Sequence, residues 1–333
     1  MTATQVPWVD VHAHPGRCFL AGLDRGDPLV GMLGGADVGA ALSAAQHAGL
    51  AAVTLSTVAD LRVLAPDPVK GLRAVRDFGP GEAYADHRRQ LAGIGQVLAG
   101  LDVPVAMTAA GIESARASGR VAVLLACEGG DFLEDRVEAL AEARALGASA
   151  LTLVHYRVNP IGDVQTEEPV HGGLTSFGRE VVAECNRLGM VIDCAHATLA
   201  TTVGVLEASS QPVMISHSHL DHADRHHPRL LSPAHARAVA DAGGLIGAWP
   251  SGVTSTSLGD FADEVARLAD LVGTAHVAIG TDMDANYRPV LASYAEFAAL
   301  AGFLANRGLS DADIGKILGG NAVDLLRIVT AGP

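Results

Sequence analysis

The chain predicts a single α/β domain, a (β/α)8 barrel, on three observations: eight short apolar runs, helical spacing between them, and imidazole and carboxylate gathered at the carboxyl ends of the runs. Its 333 residues suffice for one such TIM barrel, and the expected domain is the whole chain, 1–333. Hydrophobic residues make up 49% of the chain and aromatics only 4%. The core must therefore come from Ala, Val, Leu and Ile, which suits buried parallel strands.

The runs are residues 7–12, 51–57, 121–128, 149–155, 190–196, 212–217, 244–249 and 276–282. Helical spacing covers residues 37–48, 133–146, 177–188, 233–242, 261–272 and 294–306 between them. Gly147, Gly189, Gly243 and Gly308 stand where a glycine closes a helix, and Ser232-Pro233 reads as an N-cap followed by proline in the first turn. Residues 61–108 break the repeat with Pro66, Pro68, Gly79-Pro80-Gly81, a helical run at 82–98 and a short apolar run at 103–107. They read as an elaboration after strand two, with room for a ninth strand. No linker rich in Pro, Gly or Ser separates two cores, and no solenoid repeat is present.

The formal net charge is −14, from 23 basic and 37 acidic side chains, with no Lys/Arg cluster, so nucleic acid would be repelled. The first ten residues lack a basic leader, and no run reaches the roughly twenty apolar residues of a membrane span. The expectation is a soluble, cytoplasmic protein without nucleic-acid or membrane partners. Cys18, Cys127, Cys185 and Cys194 form no CxxC pair and are expected to be reduced core thiols. Cys127 beside Glu128 and Cys194 near His196 are the two that could serve as ligands or nucleophiles instead.

Six of the eight runs end at or near a residue able to bind metal or move a proton: VDVHAH (His12, His14), VAVLLACE (Glu128), ALTLVH (His155), VIDCAH (His196), VMISH (His217) and VAIGTD (Asp282). In an α/β barrel all strand ends of this kind open onto one face, where active sites form. Imidazoles with one or two carboxylates suit Zn²⁺ or a similar ion. Singly, each has a plainer reading: HxH as coincidence, Glu128 as a helix cap, His196 or His217 as core histidines. Their recurrence at equivalent strand ends favours a metal site.

The stretches GIESARASGRVAVLLACEGGDFL, LTLVHYRVNPIGD, GGLTSFGREVVAECNRLGMVIDCAHAT, PVMISHS, HHPRLLS, IGTDMDA and GGNAVDLLRI resemble, in order, the signatures of the membrane (renal) dipeptidase family of amidohydrolases. The resemblance implies two Zn²⁺ bridged by Glu128, one also held by His12 and His14 and the other by His196 and His217. It implies that His155 touches the substrate carbonyl oxygen, that Arg229 binds the substrate's terminal carboxylate, and that Asp282 moves protons. The implied reaction is hydrolysis of dipeptides with a free carboxyl terminus by a hydroxide shared between the metals. A guanidinium fork matches such a carboxylate bidentately.

Two departures stand out. His14 occupies a position where many relatives have Asp, raising the site's charge by one, and the run ending GAWPSG puts Trp249 and Pro250 where many have Asn-Phe, which bears on side-chain specificity. Asp10 is expected to fix an imidazole tautomer. His219, His222, His226 and His227 are expected in a solvated loop framing the pocket, Asn159 and Asp163 either shape the pocket or serve as turn residues, and Asp221 and Asp284 stay open. One alternative is a hydrolase of a small cyclic amide or lactone such as a β-lactam. Another is a non-catalytic metal-binding protein, which would have no need of Asp282. The expected partner is a small dipeptide-like substrate, and a homodimer is one compatible assembly.

Overall fold

A computed structural model describes residues 7–223 and 226–331. Its strands are β1 (Trp8–Asp10), β2 (Leu50–Val58), β3 (Leu64–Asp67), β4 (Gly71–Ala74), β5 (Ala122–Glu128), β6 (Ala148–Thr152), β7 (Val191–Asp193), β8 (Met214–Ser218), β9 (Leu245–Ala248) and β10 (Val277–Ile279). Eight of these pair in parallel and close in the order β1, β10, β9, β8, β7, β6, β5, β2. Each expected run contributes one barrel strand, so the (β/α)8 barrel is the observed architecture.

The helices are α1 (Pro28–Leu33), α2 (Val38–His47), α3 (Glu82–Gly100), α4 (Ala109–Ala117), α5 (Ala139–Ala145), α6 (Ser176–Leu188), α7 (Leu199–Ala208), α8 (Pro233–Asp241), α9 (Leu258–Val272), α10 (Glu296–Ala305), α11 (Asp311–Gly315) and α12 (Asn321–Thr330). Ser232 caps α8 as expected, its hydroxyl accepting from His235 N at 3.1 Å with Pro233 in the first turn. The helix expected at 133–146 is shorter: Glu134 adopts φ 55°, which ends a 3-10 turn at Asp131–Leu133, and the α-helix starts at Ala139. The elaboration after β2 holds α3 and an antiparallel hairpin of β3 and β4. Two prolines hide that hairpin in the sequence, since proline argues against a strand interior. Residues 103–107 give one bridge, Val105 to Val123, rather than a strand.

Side chains along the strands alternate between two apolar layers. On β5, Val123, Leu125 and Cys127 pack outward against the helices, whereas Ala122 and Ala126 point into the barrel. The inner layer is closed by Ile112 of α4 and by Val323, Leu325 and Leu326 of α12, leaving a cavity of about 40 Å³ between that plug and the strands. Glu128 continues the inward parity of β5. On β8 the parity breaks: Ile215 packs outward, the ladder register shifts between Ile215 and Ser218, and His217 is thereby turned into the barrel mouth. Gly247 and Gly280 permit that irregularity, because a Cβ on either would lie 1.8 or 1.9 Å from the Ser216 carbonyl oxygen. Among the described residues no helix is long and apolar enough to cross a membrane.

Candidate metal centre

The barrel brings five of the predicted residues onto one carboxylate. Glu128, the last residue of β5, has Oε1 3.2 Å from His12 Nε2, 3.3 Å from His196 Nε2 and 3.7 Å from His217 Nε2. Its Oε2 lies 3.2 Å from His14 Nε2 and 3.6 Å from His155 Nε2. Two compact groups share it: His12, His14 and Glu128 on one side, and Glu128, His196 and His217 on the other. His12 and His14 lie beyond β1 rather than on it, yet both rings reach the carboxylate. Asp282 stands beside His14, with Oδ1 3.4 Å from Nε2.

The donor set fits divalent ions. Two ring nitrogens bound tetrahedrally to one zinc lie about 3.3 Å apart, and here His196 Nε2 and His217 Nε2 approach to 3.1 Å. At least one of them must present a lone pair. His12 Nε2 is buried without a hydrogen bond, which leaves it free to ligate. Neighbours set the ring protons: His14 Nδ1–H donates to the Ser56 carbonyl at 3.0 Å, so Nε2 faces Asp282 and Glu128. Burial opposes its charge, but those carboxylates outweigh it and hold its pKa well above the usual range, so an ion would displace a proton from Nε2. Ser216 has one hydroxyl proton and donates it to Asp193 Oδ2 at 2.7 Å, so His217 Nδ1–H must donate to Ser216 Oγ at 2.9 Å. Asp193 is further held by Thr152 Oγ1 and by the backbone N–H groups of Ala195 and Ser216.

Electrostatics sort these groups. Burial opposes ionisation of Glu128, but the adjacent His155 and His12 and a hydrogen bond from His14 outweigh it and hold its pKa well below the usual range. Burial and the nearby Arg229 push His196 down, and burial with His12 and Arg229 does the same to His217, favouring neutral, ligating imidazoles. His196 and Asp282 also hold left-handed backbone, φ 66° and 53°, an arrangement that costs energy in non-glycine residues and clusters at functional sites.

His155 lies on the same face, and its partner is one that sequence reasoning missed. Asp60, buried two residues beyond β2, accepts from His155 Nδ1 at 2.6 Å and from the Tyr156 backbone N–H at 3.1 Å. Nδ1 thus carries a proton, and Nε2 faces the centre. Burial lowers the affinity of His155 for a second proton, but Asp60 and Glu128 outweigh it and the pKa rises. Asp10 does not touch an imidazole as expected. It accepts from Thr281 Oγ1 at 2.5 Å, Thr281 N at 3.0 Å and His12 N at 3.3 Å, and so ties the end of β1 to the turn that carries Asp282. Burial raises its pKa to about 6 against those donors.

Arg229 is 1% exposed. Its Nη1 donates to Gln165 Oε1 at 2.9 Å, its Nη2 donates to the His217 carbonyl at 3.4 Å, and its Nε–H has no partner. Among the described residues no carboxylate pairs with it. Burial pushes its pKa down. The guanidinium lies over the Trp249 ring, 5.7 Å from its centroid, and Trp249 also meets His217 edge-on at 6.1 Å. The unexpected Trp249 therefore faces the site.

The remaining candidates make other contacts. His219 is buried against Phe261 rather than solvated, because it follows β8 directly under α9. His222 pairs with Glu264 and His226 with Asp221. Asp163 accepts from the backbone of Val170, His171 and Gly173, Asn159 from that of Ile161, and Asp284 from that of Gly16, so all three organise loops. All four cysteines are buried free thiols, and burial raises Cys127 to about 12, which disfavours a ligating thiolate there.

A family model described as Membrane dipeptidase (Peptidase family M19) matches residues 89–331, a span that includes Glu128, His155, His196, His217, Arg229 and Asp282. Dipeptidase aclJ of Aspergillus oryzae is 32% identical over 218 residues, covering 62% of this chain and 51% of that protein. Dipeptidase verJ of Clonostachys rogersoniana is 32% identical over 217 residues, covering 63% and 55%. The chain spans about half the length of these curated relatives. A metallo peptidase from Rhodobacter sphaeroides, liganded with a phosphinate mimic of the dipeptide L-Ala-D-Ala, superposes with a TM-score of 0.79 at 21% identity over 98% of this chain and 99% of that one. That likeness speaks to the fold, whereas the family match extends over most of the sequence: the chain belongs to the membrane dipeptidase family.

Proposed function

We propose that this chain hydrolyses the amide bond of dipeptides bearing a free carboxyl terminus at a pair of divalent ions, Zn²⁺ by our assignment. The observation that carries the reading is two His/Glu groups sharing Glu128 beside a buried guanidinium that lacks an acidic partner. His12, His14 and Glu128 would hold one ion, and Glu128, His196 and His217 the other. Ions held there supply a water nucleophile at neutral pH and polarise the scissile carbonyl.

The chain's own groups do the rest. Arg229 offers its unpartnered N–H to the substrate carboxylate and fixes the peptide's register against the centre. His155, held by Asp60 through Nδ1, points Nε2 at the centre and donates to the oxygen that gains charge during attack. Asp282, at the same mouth, accepts the proton of the attacking water and returns it to the leaving amine. The phosphinate dipeptide mimic in the Rhodobacter sphaeroides relative supports extending the reading to dipeptides with a D-residue at the carboxyl position.

The test is a screen of Zn²⁺-loaded protein against L,L and L,D dipeptides, their amides, a β-lactam and a lactone, with metal counted on the same sample. About two ions per chain and turnover of free dipeptides are expected. One ion in a fully active sample would reject the shared-carboxylate model, and turnover of the cyclic substrates alone would replace the dipeptide.

A further inference from the structure

A cation as buried as Arg229 is normally paired, and its direct partners here are all neutral: the Gln165 amide oxygen, the His217 carbonyl and the Trp249 ring, with the carboxylates of Glu128, Asp282 and Asp193 acting on it only through space. The loop that supplies Gln165 is rich in acid, yet no acid on it pairs with Arg229. Asp163 is saturated by three backbone N–H groups, Glu167 pairs with Lys70 at 2.9 Å, and Glu168 is exposed. The side chain that does reach the guanidinium is the amide. Gln165 is itself pinned: its N–H donates to the His196 carbonyl at 2.7 Å, its Nε2 donates to the Leu230 carbonyl at 3.4 Å, and its neighbour Val164 bridges to Ala197.

We infer that Gln165 is a positioning residue for carboxylate recognition: it orients the Arg229 guanidinium, ties it to the turn carrying His196, and leaves its positive charge available to the substrate. An amide oxygen accepts a guanidinium N–H as a carboxylate would, but it brings no charge. A glutamate of the same length would make an internal ion pair and compete with the substrate's carboxylate. Gln165 thus acts through Arg229, and the inference rests on Arg229 being the carboxylate site.

The experiment compares KM for a free dipeptide with KM for its amide on Zn²⁺-loaded protein, in wild type and in the variants Gln165→Glu, Gln165→Met and Arg229→Met. Gln165→Glu should raise the free-to-amide KM ratio at least about tenfold, and Gln165→Met, which removes the acceptor without adding charge, about threefold or more. Adding Gln165→Glu to Arg229→Met should produce no further change in the ratio. If Arg229→Met raises the ratio and neither Gln165 variant does, the role of Gln165 is refuted while that of Arg229 stands. If both Gln165 variants impair the two substrates equally, Gln165 is only a structural support and the inference falls. If Arg229→Met leaves the ratio unchanged, the reading of Arg229 fails and takes this inference with it. Should Gln165→Glu fail to fold, the Gln165→Met ratio decides.

Discussion

Arg229→Met separates function from stability. The substitution keeps an unbranched side chain and deletes a buried charge. On the stability side, the protein loses one good hydrogen bond at 2.9 Å, one long one at 3.4 Å and a contact with the Trp249 ring. Gln165 is only half-buried, so water can replace its lost donor. Against those losses stands the cost of burying an unpaired cation, several kcal/mol. The net is a gain of about 1–2 kcal/mol, in line with apolar replacements of buried charge. With about 2.1 cal/mol/K of unfolding entropy per residue over 333 residues, 1 kcal/mol corresponds to about 1.4 °C, so Tm should hold or rise by up to about 3 °C. On the functional side, a desolvated charge-assisted fork contributes about 2–5 kcal/mol, so KM for a free dipeptide should rise roughly 30- to 4,000-fold while its amide is little affected. Scanning calorimetry and paired kinetics read both quantities. A Tm lowered by more than about 3 °C, with free and amidated substrates impaired alike, would make Arg229 a structural pillar and refute the reasoning.

Asp282→Asn keeps the shape but cannot take a proton, so kcat should fall by roughly 10² to 10⁴ with metal content unchanged. Activity restored by excess Zn²⁺ would instead make Asp282 a ligand. Asp193→Asn disturbs the Ser216 relay behind His217 and should weaken binding at one ion by about 10- to 100-fold, read by competition with a chelator; unchanged affinity would leave the relay without a role. His87 and His219 are pushed down to about 3 and His235 to about 4 by burial. Because these folded-state values lie below the unfolded one near 6.5, their contribution to stability is complete above that pH and is lost as pH falls towards 3–4. His219→Leu should therefore flatten the acid side of a denaturant-monitored stability profile by up to about 1.4 kcal/mol per pH unit between pH 4 and 6, and an unchanged slope would mean His219 is already charged in the fold.

The barrel and the metal-ligand candidates were legible because both rest on local patterns. A strand's alternation and a helix's period are written in neighbouring residues, and a barrel sends every strand's carboxyl end to the same face. Locating the strand ends therefore located His12, His14, Glu128, His155, His196, His217 and Asp282 together. The hairpin of β3 and β4 was not legible, since Pro66 and Pro68 mask an isolated pair at the surface where proline is tolerated.

The sequence by itself thus determined the architecture and which chemical groups crowd the barrel mouth, because both follow from side-chain periodicity and the geometry of parallel strands. Only the tertiary structure decided who holds whom. Asp60 reaches His155 across 95 positions and Gln165 reaches Arg229 across 64, so neither partner leaves a local mark. Asp10, beside His12 in sequence, turns instead to Thr281, 271 positions away. The inward turn of His217 depends on a register shift against β9, and the want of a carboxylate beside Arg229 depends on where an acidic loop sends its charges. Tautomer, charge and substrate register are set by such long-range contacts, which exist only once the barrel has closed.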